Sequence, residues 1–317
     1  MMKSKSGNNK TANHHWWPRG LSAKWRGVDG GVGVFRHTGD VQRLASNNLG
    51  SITNAHQISA TKDSFFKAEI ESQFDAADSA VPAVVAEIYA LMAGSKNKSI
   101  EGDGFLTPLI NFKHETDLLC VLSSLIVRSP MTRDFFARSF DAVFMFDDNP
   151  PQKTGLRDPI IAANQDGMLQ AIERRLVSSS KVTVLIAPPN SEFCYGDGFF
   201  STFRSREGKD LNPKAIIPLL PELAVLVSCP SSYLREPKLS TYRMSLDEVH
   251  LVNKITSIYA SKQLFFRNLE PIPHEEFSIG EFGRLESENT EWITQLIALQ
   301  ASLSIDGINS INSVRDR

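Results

Sequence analysis

The order of apolar patterns along the chain predicts an α+β fold: alternating runs at the front, helical periodicity through the middle, strand-like runs again, then a closing helix. A regular strand–helix–strand alternation is missing, which argues against a doubly wound parallel sheet. The 317 residues, 41% hydrophobic and 22% charged, suffice to bury a core and do not have the composition of a disordered or fibrous chain.

Residues 1–12 are rich in Lys, Ser, Asn and Gly with almost nothing apolar, so a disordered tail is expected there. Gly33-Val34-Phe35-Arg36 and Asp40-Val41-Gln42-Arg43-Leu44 alternate apolar with polar on either side of His37-Thr38-Gly39. That pattern predicts a β-hairpin whose glycine supplies a positive φ. A further strand is expected over residues 51–59. Between residues 64 and 92, Phe65, Ile70, Phe74, Val81, Val84, Val85, Ile88 and Leu91 recur at helical spacing, and Pro82 is read as opening a second helix at its first turn. Residues 94–104 read as a polar loop. Leu118, Leu119, Val121, Leu122, Leu125, Ile126 and Val127 are apolar nearly all round, the mark of a central helix buried on several sides.

Ser129-Pro130 reads as a cap followed by proline at the first helical position, opening a helix that carries Phe135, Phe136 and Phe140 and stops at residues 147–151. Another helix is expected over residues 165–178. Residues 181–187 are β-branched and short enough for a buried strand, and strands are also expected at residues 193–195, 216–219 and 223–228. Ser245-Leu246-Asp247-Glu248 has the capping-box form, with Leu251, Ile255, Ile258 and Tyr259 following on one face. The organisation expected is a single α+β domain over residues 13–268, made of the N-terminal hairpin packed with a later, mostly antiparallel sheet and a helical insertion at about 63–180. An acidic C-terminal extension over residues 269–317 follows, with a helix at 292–303.

Charge is distributed unevenly behind a net value of −2. Residues 1–43 carry eight Lys and Arg against Asp29 and Asp40, whereas residues 270–291 carry seven Glu against Arg284 alone. The basic front attracts a phosphate or nucleic-acid partner on one reading and complements the acidic rear on the other. Apolar runs such as residues 182–188 fall far short of the roughly 20 residues of a membrane span, so no membrane partner is expected. Cys120, Cys194 and Cys229 are widely spaced, without a C-x-x-C pair, and read as buried free thiols of a cytoplasmic protein. Gly30-Gly31-Val32-Gly33 lacks the form of a phosphate-binding loop, Glu101-Gly102-Asp103-Gly104 is too short for a calcium loop, and neither a G-x-S-x-G elbow nor an H-E-x-x-H helix occurs.

His14 and His15 are adjacent imidazoles able, with a distant carboxylate, to bind a divalent metal or move a proton. Neighbouring positions face opposite sides of a strand, so one at most faces a site, and His15 is the preferred residue. The competing reading puts one imidazole on a backbone carbonyl and the other at the surface. Asp197 stands between Gly196 and Gly198, where missing Cβ atoms let the backbone approach a ligand; an Asp-Gly hairpin turn accounts for the same residues without one. Asn253 among Leu251, Val252 and Ile255 needs a partner, which backbone alone can supply. Arg128 either binds phosphate or complements the carboxyl end of its helix. Trp16, Trp17 and Trp25 among Arg19, Lys24 and Arg26 have the composition of a base-stacking surface, with core packing the stronger reading.

His14-His15-Trp16-Trp17-Pro18-Arg19 resembles the opening of the uncharacterised domain-of-unknown-function family numbered 4238. The hairpin over residues 33–44 resembles that family's hairpin, and Leu125-Ile126-Val127-Arg128-Ser129-Pro130 its helix ending in an Arg-x-Pro step. Residues 181–200 are similar to the strand, turn and strand leading to its Ser-Asp-Asn-Pro motif, with Asp197 at the aspartate position. Ile217-Pro218-Leu219-Leu220-Pro221 resembles its Pro-Leu-Ser-Pro strand, and Val252-Asn253 with the residues up to Tyr259 its late helix carrying an asparagine. The likeness is collinear from about residue 14 to 268. It departs at the motif itself, where Gly196 replaces the serine and Gly198 and Phe199 replace the asparagine and proline.

Two functional readings follow, and the sequence leaves open whether the chain is an enzyme. In the first it is a hydrolase acting on nucleic acid or another phosphoester, with His15 as metal ligand or general base, Asp197 as its acidic partner, and His14, Arg19, Arg128 and Asn253 as ligand-binding residues; the cofactor would be a divalent metal. In the second it is a non-catalytic binding or regulatory module, in which the same residues brace the join between the amino-terminal hairpin and the later strands.

Overall fold

The computed structural model describes residues 13–46, 49–53, 70–95, 106–109, 112–144, 157–203, 212–231, 236–283 and 291–302. The expected tail at 1–12, the helix stop at 147–151 and most of the loop at 94–104 lie outside these residues, as do residues 284–290 and 303–317 of the acidic extension.

The strands are β1 (Asn13–His15), β2 (Gly31–Arg36), β3 (Val41–Ala45), β4 (Ser51–Thr53), β5 (Leu106–Pro108), β6 (Lys181–Ile186), β7 (Tyr195–Gly196), β8 (Lys214–Leu220), β9 (Leu223–Ser228), β10 (Leu239–Arg243) and β11 (Gln263–Phe266). The α-helices are α1 (Arg19–Ser22), α2 (Asp75–Ser95), α3 (Glu115–Arg128), α4 (Pro130–Phe144), α5 (Arg157–Ser179), α6 (Leu246–Ile258) and α7 (Glu291–Ser302). Short 3-10 turns cover Ala23–Trp25, Ile70–Phe74 and Glu275–Ile279.

The expected hairpin is β2 and β3, with Gly33 opposite Arg43 and the turn closed by Gly39 at φ 88°. β2 pairs on its other edge with β11, and β11 with β7, giving the antiparallel order β3-β2-β11-β7 that joins the early hairpin to the late strands. A second sheet has the order β5-β10-β6-β9-β8, in which only β10 and β6 run parallel, and β1 pairs with β4 as a two-stranded ribbon. The architecture is α+β. β6 and β9 are buried at every position, as strands covered on both faces must be. α7 covers this sheet with Ile293 and Leu296. Its buried Gln300 accepts from Ser228 Oγ at 2.5 Å and donates to Thr183 Oγ1 at 2.9 Å, so this buried amide is satisfied at both ends.

α3 is the central helix, buried from Leu118 onward except at Cys120 and packed on α2 and α5. Ser129 caps α4, its Oγ accepting from Thr132 N at 3.2 Å, and α6 opens on the complete capping box of Ser245 and Glu248. Three expectations are corrected. Pro82 lies inside α2 rather than opening a new helix; it faces solvent, where water can satisfy the Asp78 carbonyl it leaves unpaired, while Val81, Val84, Val85 and Ile88 hold the opposite face in the core. α5 begins at Arg157, eight residues before the expected start. The strand expected at 193–195 is the two-residue β7. β5, β10 and β11 were not marked by the sequence. Among the described residues no helix is long and apolar enough to cross a membrane.

Candidate functional site

Residues 192–197, running into the two-residue strand β7, are held by side-chain hydrogen bonds that link them to the turn before β11, to the chain after it and to α6. Asp197 is buried, and both carboxylate oxygens accept backbone N–H groups just before β11, Oδ1 from Ser261 at 2.8 Å and Oδ2 from Lys262 at 3.0 Å. Its own carbonyl accepts from Met131 N at the start of α4. Glu192 does the same at the far end of β11, Oε2 accepting from Asn268 N at 2.9 Å and Leu269 N at 3.2 Å while Arg267 pairs with Oε1 at 2.8 Å. Between them Asn253, from α6, accepts from Cys194 N at 2.8 Å and donates to the Glu192 carbonyl at 2.9 Å.

Burial pushes the Asp197 carboxyl up to about 6, outweighing the amides of Ser261 and Lys262, which favour the ionised form. Burial also acts to raise Glu192, but there the Asn268 amide, Arg267 and the Leu269 amide prevail and hold the carboxyl below its ordinary value. The glycines beside Asp197 serve the chain's own packing. A Cβ at Gly196 would stand 2.7 Å from Ala260 Cβ, and one at Gly198 would run into the Tyr259 carbonyl oxygen. Asp197-Gly198 is therefore not a hairpin turn, and the close approach the glycines permit is to the end of α6 rather than to a ligand.

The amino-terminal motif reaches this segment through its tryptophans. Trp17 stacks on Tyr195 with ring centroids 4.3 Å apart and Phe265 stacks at 4.5 Å, while Trp25 meets Tyr195 edge-on at 4.7 Å and Trp16 at 6.4 Å. All three indoles are buried, so the core reading of Trp16, Trp17 and Trp25 holds and the base-stacking one does not.

His15 accepts at Nε2 from Arg19 Nε at 2.9 Å, an exposed pairing that occupies that ring nitrogen. Of His14 the backbone alone is described, opposite Ile52 in the β1–β4 ribbon. Arg128 has no side-chain exposure; Nη2 pairs with Asp78 at 2.6 Å and the guanidinium lies 5.3 Å from the Phe74 ring centre. It is out of reach of a phosphate ligand. Asn253 is likewise spent on backbone, so both lose the ligand-binding role expected of them. A metal held by His15 and Asp197 is not supported either. Among the described residues no three His, Cys, Asp or Glu side chains gather to hold one, and both Asp197 oxygens are engaged.

Asp197 does border a cavity of about 620 Å³ between α4, the turn at 261–263 and the segment 280–282. Trp16 and Phe282 give it apolar wall. Arg133, Arg138 and Lys262 stand against Asp134, Glu281 and Asp197, with Arg138 and Asp134 paired at 2.7 Å along α4. Arg133, Lys262 and Glu281 are the residues sequence reasoning missed. No local motif marks them, because they come together only when the α4 start meets the α6–β11 turn. No family model, curated protein or solved structure matches this chain.

Proposed function

We propose that the chain is a binding module without catalysis, its ligand entering the cavity beside Asp197. The observation that carries this reading is the commitment of both Asp197 oxygens to the amides of Ser261 and Lys262: the carboxylate shapes a wall of the cavity instead of reaching into it. The balanced charges of the rim suit a small polar ligand better than a polyanion. Asp197 falls at the aspartate of the family the sequence resembles, and its loss of the neighbouring serine and asparagine accords with a site turned to structure. A cytoplasmic setting fits the three unpaired thiols.

One observation favours the hydrolase reading: a carboxyl near 6 bordering an open cavity titrates where a general acid works. The two readings part on Asp197→Asn. Binding predicts a lower melting temperature and no turnover of a phosphomonoester or phosphodiester above buffer by either protein. It also predicts that ligands found by NMR fragment screening are lost when Ala137→Trp fills the cavity. Wild-type turnover abolished by Asp197→Asn with the fold retained would establish the hydrolase, and fragments indifferent to Ala137→Trp would remove the cavity as the site.

A further inference from the structure

The charges around the cavity beside Asp197 differ in what already engages them. Arg138 and Asp134 pair with each other at 2.7 Å along α4, Arg133 has an interaction of its own, and both oxygens of Asp197 accept backbone amides. Lys262 and Glu281 remain. Both are exposed and both line the cavity, and among the described residues neither side chain forms an ion pair or a hydrogen bond, with the other or with a third group. The side-chain amide of Gln263, in the same lining, likewise bonds nothing among the described residues.

These side chains are uncommitted, but the backbone that carries them is fixed. Lys262 N donates to Asp197 Oδ2 at 3.0 Å and the Lys262 carbonyl accepts from His37 N at 3.1 Å, while the Gln263 carbonyl accepts from Asp197 N at 3.3 Å. Ser261 Oγ donates to the Gly280 carbonyl at 2.7 Å, which ties the turn bearing Lys262 to the segment bearing Glu281. An ammonium and a carboxylate thus border one hollow from adjacent stretches of chain, each open to a counter-charge. Trp16 and Phe282 add an apolar surface beside them.

A ligand of net negative charge would be repelled by Glu281, and an uncharged one would offer neither group a counter-charge. A dipolar ion with an apolar body answers all three features. Taking this cavity as the binding site proposed above, we infer that its ligand is a free α-amino acid with a large apolar side chain. The α-carboxylate meets Lys262 and the Gln263 amide, the α-ammonium meets Glu281, and the side chain lies against Trp16 and Phe282. Charge-assisted hydrogen bonds at both ends of one small molecule fix its orientation and select against the end of a peptide, which brings one of the two charges. A volume of about 620 Å³ is that of a small-molecule pocket.

The test titrates the full chain with L-phenylalanine, with its amide, which keeps the ammonium alone, and with N-acetylphenylalanine, which keeps the carboxylate alone, and follows backbone amide shifts by NMR. Saturable shifts at residues 133–138, 261–263 and 280–282 are expected with phenylalanine, and each capped form should bind about tenfold more weakly, the equivalent of one charge-assisted hydrogen bond. Glu281→Gln should weaken phenylalanine about as much while leaving N-acetylphenylalanine unaffected, and Lys262→Met should do the converse, sparing the amide. A capped form that binds as tightly as the amino acid, variants that weaken all three alike, or phenylalanine without saturable shifts would overturn the inference. If phenylalanine fails while screened fragments are still lost on Ala137→Trp, the cavity stays a binding site and only the assigned ligand falls; fragments indifferent to that substitution sink both.

Discussion

The two ends of β11 are fastened by the same device with opposite electrostatics. At each end an acid from the β7 segment accepts two consecutive backbone amides, Glu192 from Asn268 and Leu269, Asp197 from Ser261 and Lys262. Glu192 has Arg267 beside it and is held below its ordinary value, whereas burial dominates at Asp197 and pushes it to about 6. Asp197 takes one amide on each oxygen and Glu192 takes both on Oε2, leaving Oε1 to Arg267; one clamp is thus comfortable when charged and the other is not, and the nearby guanidinium together with the depth of burial decides which. A perturbed carboxyl bordering a cavity is a sign of catalysis only when its oxygens are uncommitted.

The largest effect that would sharpen this contrast is on pH dependence. Asp197 titrates near 6 in the fold against 3.8 as a free side chain, so the folded state binds more protons between those values. The stability it contributes is therefore fully present below about pH 4 and lost as pH rises through about 6, on the order of 3 kcal/mol. Urea denaturation from pH 4 to 7 should show the wild type losing about this much relative to Asp197→Asn; parallel curves would mean that Asp197 is not desolvated. Glu192 has the opposite sign: its stabilisation is present above its ordinary value and lost as pH falls through the depressed one.

Arg267→Met should make the two clamps alike. Removing the guanidinium leaves Glu192 and its second partner, Glu222, without their cation, at a cost of about 2 kcal/mol at pH 7. The Glu192 carboxyl should rise toward that of Asp197, as followed by carboxyl-carbon NMR titration, and an unmoved titration would break the comparison. His15→Ala, outside the clamps, should cost under about 1 kcal/mol in the same denaturation assay, since its pairing with Arg19 is exposed. A loss as large as that from Arg267→Met would make His15 part of the framework.

What could be seen in the sequence was what local chemistry determines. The capping box at Ser245, the cap at Ser129, the Gly39 turn and the buried periodicity of α3 each depend on residues a few positions apart. The core burial of Trp16, Trp17 and Trp25 was legible too, from their bulk. β5, β10 and β11 escaped because they are short and their partners lie far along the chain. The meaning of Asp197 escaped for the same reason: Asp-Gly reads locally as a turn, and the amides that claim its oxygens lie 64 and 65 positions away. The opening motif does return to the aspartate's neighbourhood, but its indoles make the contact.

The gathering of Trp16, Trp17 and Trp25 around Tyr195 has an optical consequence. Of the four tryptophans only Trp292, on α7, stands apart, its indole N–H bonded to Glu248 at 3.0 Å. Ultraviolet emission and near-ultraviolet circular dichroism therefore come mostly from one patch of the molecule. Partial detachment of residues 16–25 would announce itself there while the helices still absorbed as before, giving an unlabelled probe of whether the chain's leading segment is seated.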